Sequence, residues 1–182
     1  MARNFSESYM ESEVDMQHES VSVKEAFMPY ITSGINENEQ RVIDKALSIL
    51  QRKLRTRGEK FTSPGTIRDF LRLKIAALEY EVFCVFFLDS QNCLIAFEEM
   101  AKGTLDQAAV YPREIAKRAL QHNCAAVVLA HNHPSLNPEP SINDEKLTKI
   151  LRNALELISV KILDHFIVGG IDIISFAERG LI

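Results

Sequence analysis

His131-Asn132-His133-Pro134-Ser135, followed after a Pro-broken loop by Ser141-Ile142-Asn143-Asp144, is the stretch on which the reading of this chain turns. Two histidines at i and i+2 leave an extended backbone on the same side, so both imidazoles can converge on one ion. Asp144 supplies an oxygen. Two imidazoles and one carboxylate make three protein ligands and leave the fourth tetrahedral position for water, which is the arrangement of a catalytic zinc and not of a closed structural one. That donor set points to hydrolysis. A plainer reading stands beside it: Ser141 to Asp144 fits S-x-x-D, the start of a helix, and the histidines can be ordinary buried residues. Context favours the metal. Residues 125–130, Ala-Ala-Val-Val-Leu-Ala, form an apolar, strand-like run that delivers His131 at its end, where sites of open sheets lie. Asp144 then falls in the first turn of the following helix.

Taken together, His131-Asn132-His133-Pro134-Ser135, Pro140-Ser141 and Asp144 resemble the JAMM motif of JAB/MPN-domain proteins, in particular their RadC-like branch. Gly103-Thr104 and Tyr111-Pro112-Arg113-Glu114-Ile115 upstream resemble that branch's G-T and H-P-R-E segments. Leu163-Asp164-His165 and the run from Gly169 through Ser175-Phe176-Ala177-Glu178 resemble its C-terminal strands. The resemblance covers residues 61–182. It implies an α/β, JAB/MPN-like (cytidine-deaminase-like) mixed sheet flanked by helices; ahead of it, composition and apolar spacing make residues 1–35 an acidic, partly disordered tail and 36–60 an amphipathic, basic helical extension. It also implies a zinc site of His131, His133 and Asp144, and cleavage of an amide or isopeptide bond in a peptide or isopeptide substrate.

In that family an upstream glutamate polarises the zinc-bound water. Glu98 and Glu99 are the candidates, and neighbouring strand residues face opposite sides, so only one can reach the cleft. Counting back from Gly103-Thr104 gives Glu98 the family's position and leaves Glu99 in reserve. Two solvated carboxylates on an edge strand are the plainer fate of such a pair. Similarity to the family also gives Ser141 an oxyanion-stabilising role. N-capping of the next helix is an equally good reason for that serine, and one hydroxyl is expected to do only one of these well. Two departures stand out. Leu136 occupies a place where RadC-like chains usually carry Gly; a required positive φ would be costly there, so either a differently shaped loop or altered substrate access is expected. Tyr111 replaces a histidine and is not expected to touch the metal. His165, opening the strand Phe166-Ile167-Val168, reads as a hydrogen-bonded core histidine. His122 suits a helix C-terminus. His18 lies in a polar stretch without partners.

At 182 residues and 46% hydrophobic content, the chain can bury one substantial core. Cys84, Cys93 and Cys124 are isolated and odd in number, which argues against a disulfide framework or a thiolate zinc cluster. A reducing cytoplasm is the simplest setting. Apolar runs such as residues 82–88 are too short to span a bilayer, and no membrane partner is expected.

Charge is uneven: residues 1–40 hold eight carboxylates against two cations, whereas residues 41–75 hold ten Lys or Arg against three carboxylates. The densest cations, Arg52, Lys53, Arg55, Arg57 and Lys60, suit nucleic acid through counterion release, or simply a solvated helix face. The alternative function is therefore a DNA-associated accessory protein with a non-catalytic metal site. The helix-hairpin-helix region usual in RadC architecture is missing from these residues, which weakens that alternative.

Periodicity predicts helices over 39–54, from Ser63-Pro64 to about 77, over 112–122 and over 142–158. It predicts strands over 81–89, 93–99, 124–130, 160–168 and 172–176.

Overall fold

The computed structural model describes residues 35–55, 64–103 and 110–182. The acidic tail, His18, Gly58, Ser63, Arg57 and Lys60 lie outside them. Within them, α1 (Glu37–Arg55) and α2 (Pro64–Ile75) precede a hairpin of β1 (Val82–Leu88) and β2 (Leu94–Lys102). Then follow α3 (Pro112–Gln121), β3 (Ala126–Asn132), α4 (Ile142–Glu156), β4 (Lys161–Gly169) and β5 (Asp172–Ser175). The strands form one mixed sheet in the order β2-β1-β3-β4-β5, and only the β3/β4 pair, joined through α4, is parallel.

Strand β1, Val-Phe-Cys-Val-Phe-Phe-Leu, is apolar throughout because it is buried on both faces. Its even-numbered residues, with Val128 and Ala130 of β3, pack under α1 and α2; its odd-numbered residues, with Val127 and Leu129, pack under α3 and α4. Helix α1 contributes Leu47 and Leu54 to the first of these layers, so the described part of the basic extension, residues 37–55, belongs to the packed body. The three cysteines are buried and free. Among the described residues no helix is long and apolar enough to cross a membrane.

The strand β3 runs two residues beyond the apolar run, through His131 and Asn132. That extension is what positions the site. By alternation His131 shares the α3/α4 face with Leu129, at the C-terminal end of a strand that pairs in parallel with β4.

Candidate metal centre

His131, His133 and Asp144 each offer a ligand atom, and the three atoms lie within 4.8 Å of one another. The Nε2 atoms of the two imidazoles are 3.0 Å apart. His131 Nε2 lies 3.2 Å from Asp144 Oδ1, and His133 Nε2 lies 3.6 Å from Oδ2. A tetrahedral zinc with bonds of about 2.0–2.2 Å spaces its ligands roughly 3.3–3.5 Å apart, so the donor set fits that ion.

The hydrogen bonds behind these atoms decide where the protons are. The Asn137 carbonyl can only accept, so His133 Nδ1, 2.8 Å away, carries its hydrogen there and leaves Nε2 bare. Thr148 donates its one hydroxyl hydrogen to the Asp144 carbonyl at 2.7 Å and therefore accepts from His165 Nδ1, also at 2.7 Å. His165 Nε2 must then accept from His131 Nδ1 at 2.9 Å. Both imidazoles thus present lone pairs to a carboxylate, and Asp144 Oδ1 is buried without a hydrogen-bond donor. Three acceptors facing one another at this separation need a cation or an extra proton between them.

Burial holds His131 below its ordinary pKa against the pull of Asp144, and holds His165 well below. Contact with Asp144 instead raises His133. Burial pushes the Asp144 carboxyl up, but His131, His133 and the Ser141 side chain outweigh it and keep it far below the usual carboxylate range. It is an anion at neutral pH. Phe83 stacks near the His131 ring, and Phe83 and Phe176 flank His165, so the back wall is dry. The reading of His165 as a hydrogen-bonded core histidine therefore holds, but its bond is to a candidate ligand. Sequence inspection missed that, because the contact depends on parallel pairing between β3 and β4.

Ser141 caps α4: Asp144 N–H donates to Ser141 Oγ at 3.2 Å, and Ser141 N–H donates to Asp144 Oδ2 at 2.7 Å. The same box that starts the helix aims the ligand. Oγ accepts in the cap, and the Ser141 side chain also hydrogen-bonds the Asp144 carboxylate, which can only accept, so the hydroxyl is engaged within the capping box.

Glu98 and Glu99 face opposite sides of the sheet as alternation requires, yet neither meets the histidine pair. Arg118 donates to both oxygens of Glu98, its Nε to Oε2 at 2.6 Å, and His122 Nε2 lies 2.6 Å from Oε1. Burial raises the Glu98 carboxyl, and Arg118 and His122 more than offset it, so it titrates below its ordinary value. Glu98 sits level with Val85 and Leu129. Two strands across and two residues along put its Cα roughly 12 Å from that of His131. Glu99 pairs with Lys74 and Lys102 on the α2 side. The placement of Glu98 in the cleft is thus corrected by the cations of α3.

After Asp144, whose effect is larger, a second carboxylate raises both His131 and His133 by its charge: Glu81, immediately before β1. The pairing of β1 with β3 ends at Phe83 and His131, and Glu81, two residues before Phe83, shares its face by alternation, the face that carries the imidazoles. Sequence inspection passed over it because it lies fifty residues upstream with no motif around it.

In the loop beyond the histidines the leucine itself takes up the positive φ. Leu136 adopts φ 64° and closes a turn with its N–H on the His133 carbonyl at 3.0 Å. Tyr111 is the exposed residue preceding α3 and lies under the Arg113 guanidinium. Arg52, Lys53 and Arg55 are exposed in the last turn of α1, on the opposite side of the sheet from the imidazoles.

Residues 61–181 match the family described as the RadC-like JAB domain. The chain belongs to that family. Among curated relatives, a UPF0758 protein of Methylibium petroleiphilum is 49% identical over 152 residues, covering 82% of this chain and 68% of its own length. One from Leptothrix cholodnii is 57% identical over 122 residues, covering 67% of this chain and 55% of its own. UPF0758 protein YkfG of Escherichia coli is 46% identical over 155 residues, covering 85% of this chain and 98% of its own. The RadC-like JAB match begins just ahead of α2, so α1 lies outside it while packing on it.

Proposed function

We propose that this RadC-like JAB protein is a zinc-dependent hydrolase that cleaves an amide or isopeptide bond, with Glu81 as the proton carrier. The observation that carries the reading is the convergence of two bare imidazole nitrogens on a buried carboxylate with an orphaned oxygen. His131, His133 and Asp144 would hold the ion, and three ligands leave a fourth position open. A zinc ion held there supplies Lewis acidity and brings the pKa of a coordinated water to about 7.

The chain's own groups supply the rest. Glu81, on the face of the imidazoles, takes the proton of the attacking water and hands it to the leaving amine. Ser141, its lone pair engaged by the Asp144 N–H, would turn its hydrogen from the Asp144 carboxylate to the substrate carbonyl oxygen as charge develops there. His165 and Thr148 hold the His131 tautomer, as the Asn137 carbonyl holds that of His133. Glu98 is left a structural partner of Arg118. The amide or isopeptide specificity follows from family resemblance, since such a centre can attack other electrophiles.

The test is a panel of peptides and lysine-linked isopeptides assayed with metal-loaded variants. Glu81→Gln is expected to keep the metal and lose hydrolysis by about 100-fold or more, the usual contribution of general acid–base catalysis. Glu98→Gln is expected to leave the rate within a few-fold. Full activity in metal-loaded Glu81→Gln would overturn the assignment.

A further inference from the structure

We infer that Asn132, the residue between the two histidines, is a positioning residue that sets Glu81 against them; the inference rests on the assignment of Glu81 made above. Strand alternation turns the Asn132 side chain away from the imidazoles, toward the face where Val128 and Ala130 are core. It is 1% exposed. A buried amide there is costly unless its polar atoms are satisfied, and a plain apolar side chain would fill the place.

Its bonds all go to one segment. Asn132 Oδ1 accepts from the Val82 N–H at 2.8 Å, and Nδ2 donates to the Leu78 carbonyl at 3.3 Å and the Tyr80 carbonyl at 3.0 Å. These three residues bracket Glu81. The peptide unit joining Glu81 to Val82 is held at both ends, because the Glu81 carbonyl accepts from the Gly103 N–H at 2.9 Å. One end is fixed by β2 and its neighbour, the other by the strand that carries the ligands. Pinning a peptide plane fixes the Cα of Glu81 and the direction its side chain leaves. Movement of the ligand strand therefore carries the glutamate with it, and the separation of base and ligands is kept by a side chain lying between the ligands themselves.

Only asparagine fits the pattern: one acceptor and two donors at this reach. Aspartate has no donors for the two carbonyls, and serine is shorter.

The test is a cycle read on the full chain loaded with Co(II), following the pH midpoint of its visible spectrum. Glu81→Gln is introduced into wild type, into Asn132→Ala and into Val128→Ala, a core variant on the same face of β3 without hydrogen bonds. Melting temperatures are taken in parallel, and Asn132→Ser serves if the alanine variant does not fold. Glu81→Gln is expected to move the midpoint in wild type and equally in Val128→Ala, and to move it by less than half as much when Asn132 is changed. Equal movement in all three backgrounds would make Asn132 a stability residue only and overturn the inference. Loss of cobalt from the Asn132 variant alone would also overturn it, by showing that the amide acts on the ligands. No movement from Glu81→Gln in wild type would remove the base assignment and this inference with it.

Discussion

At the scale of single residues, the site shows which signals a sequence carries. His131, His133 and Asp144 were legible because their spacing is local: an i, i+2 pair at a strand end and the third residue of a helix. Alternation also separated Glu98 from Glu99 correctly. It names a face, however, and not a distance along the strand, and the antiparallel pairing that sets the start of β1, just after Glu81, beside His131 is one no nearby residue announces. Leu136 is a second case. A bulky residue at φ 64° carries roughly 1–2 kcal/mol of strain, and its side chain, 64% exposed, recovers little of that through burial. Leu136→Gly is therefore expected to raise unfolding stability by about 0.5–1 kcal/mol after the extra freedom of glycine in the unfolded chain is counted. Urea titration of metal-free protein checks this, and a loss of stability would mean the leucine side chain holds the loop.

Between elements, the site depends on how the loop after β3 rests on the end of β4. Gly169 lies so close under that loop that a Cβ would meet Pro138 N at 2.5 Å and the Leu136 carbonyl at 2.7 Å. Both are backbone atoms that cannot swing aside. The same loop carries the Asn137 carbonyl that holds His133 Nδ1. Gly169→Ala is accordingly expected to cost about 1–3 kcal/mol by overpacking and to weaken zinc binding about 10–100-fold through the lost support of His133. Calorimetric zinc titration beside thermal melting measures both, and unchanged affinity would show that His133 does not need the loop. The elements themselves were largely readable, since Pro112 and the Ser141 capping box mark helix starts, and the apolar runs mark β1, β3 and β4. The end of β3 was not: His131 and Asn132 are polar, so hydropathy stops at Ala130 while the pairing with Phe83 and Val168 continues.

For the molecule as a whole, the buried imidazoles tie metal-free stability to pH. His131 and His165 are held neutral by burial, below the 6.5 of an exposed imidazole, whereas His133 is raised by Asp144. As pH falls through about 6.5, the unfolded chain takes up two protons that the fold refuses, and the fold takes up one more readily at His133. Below 6.5 the unfolded chain protonates His133 as well, so that residue offsets only part of a proton and the balance, between one and two protons, favours unfolding. Metal-free stability should then drop by roughly 1–2 kcal/mol per pH unit between about 6.5 and 5.5. Urea midpoints at pH 7.5 and 5.5 test the sign, and a rise toward acid would contradict it. The family and the mixed sheet were readable from several motifs in order, because each motif sits at an element end that the fold brings together. The part played by the cations of α1 was not, since charge density alone does not say which side of the sheet they occupy. The claim on which all of this rests is that His131, His133 and Asp144 form a metal centre, and elemental analysis of purified wild type, His133→Ala and Asp144→Ala tests it most directly. The account predicts near-stoichiometric zinc in wild type and its loss from both variants; a folded wild-type protein that takes up no metal after zinc is added would contradict it.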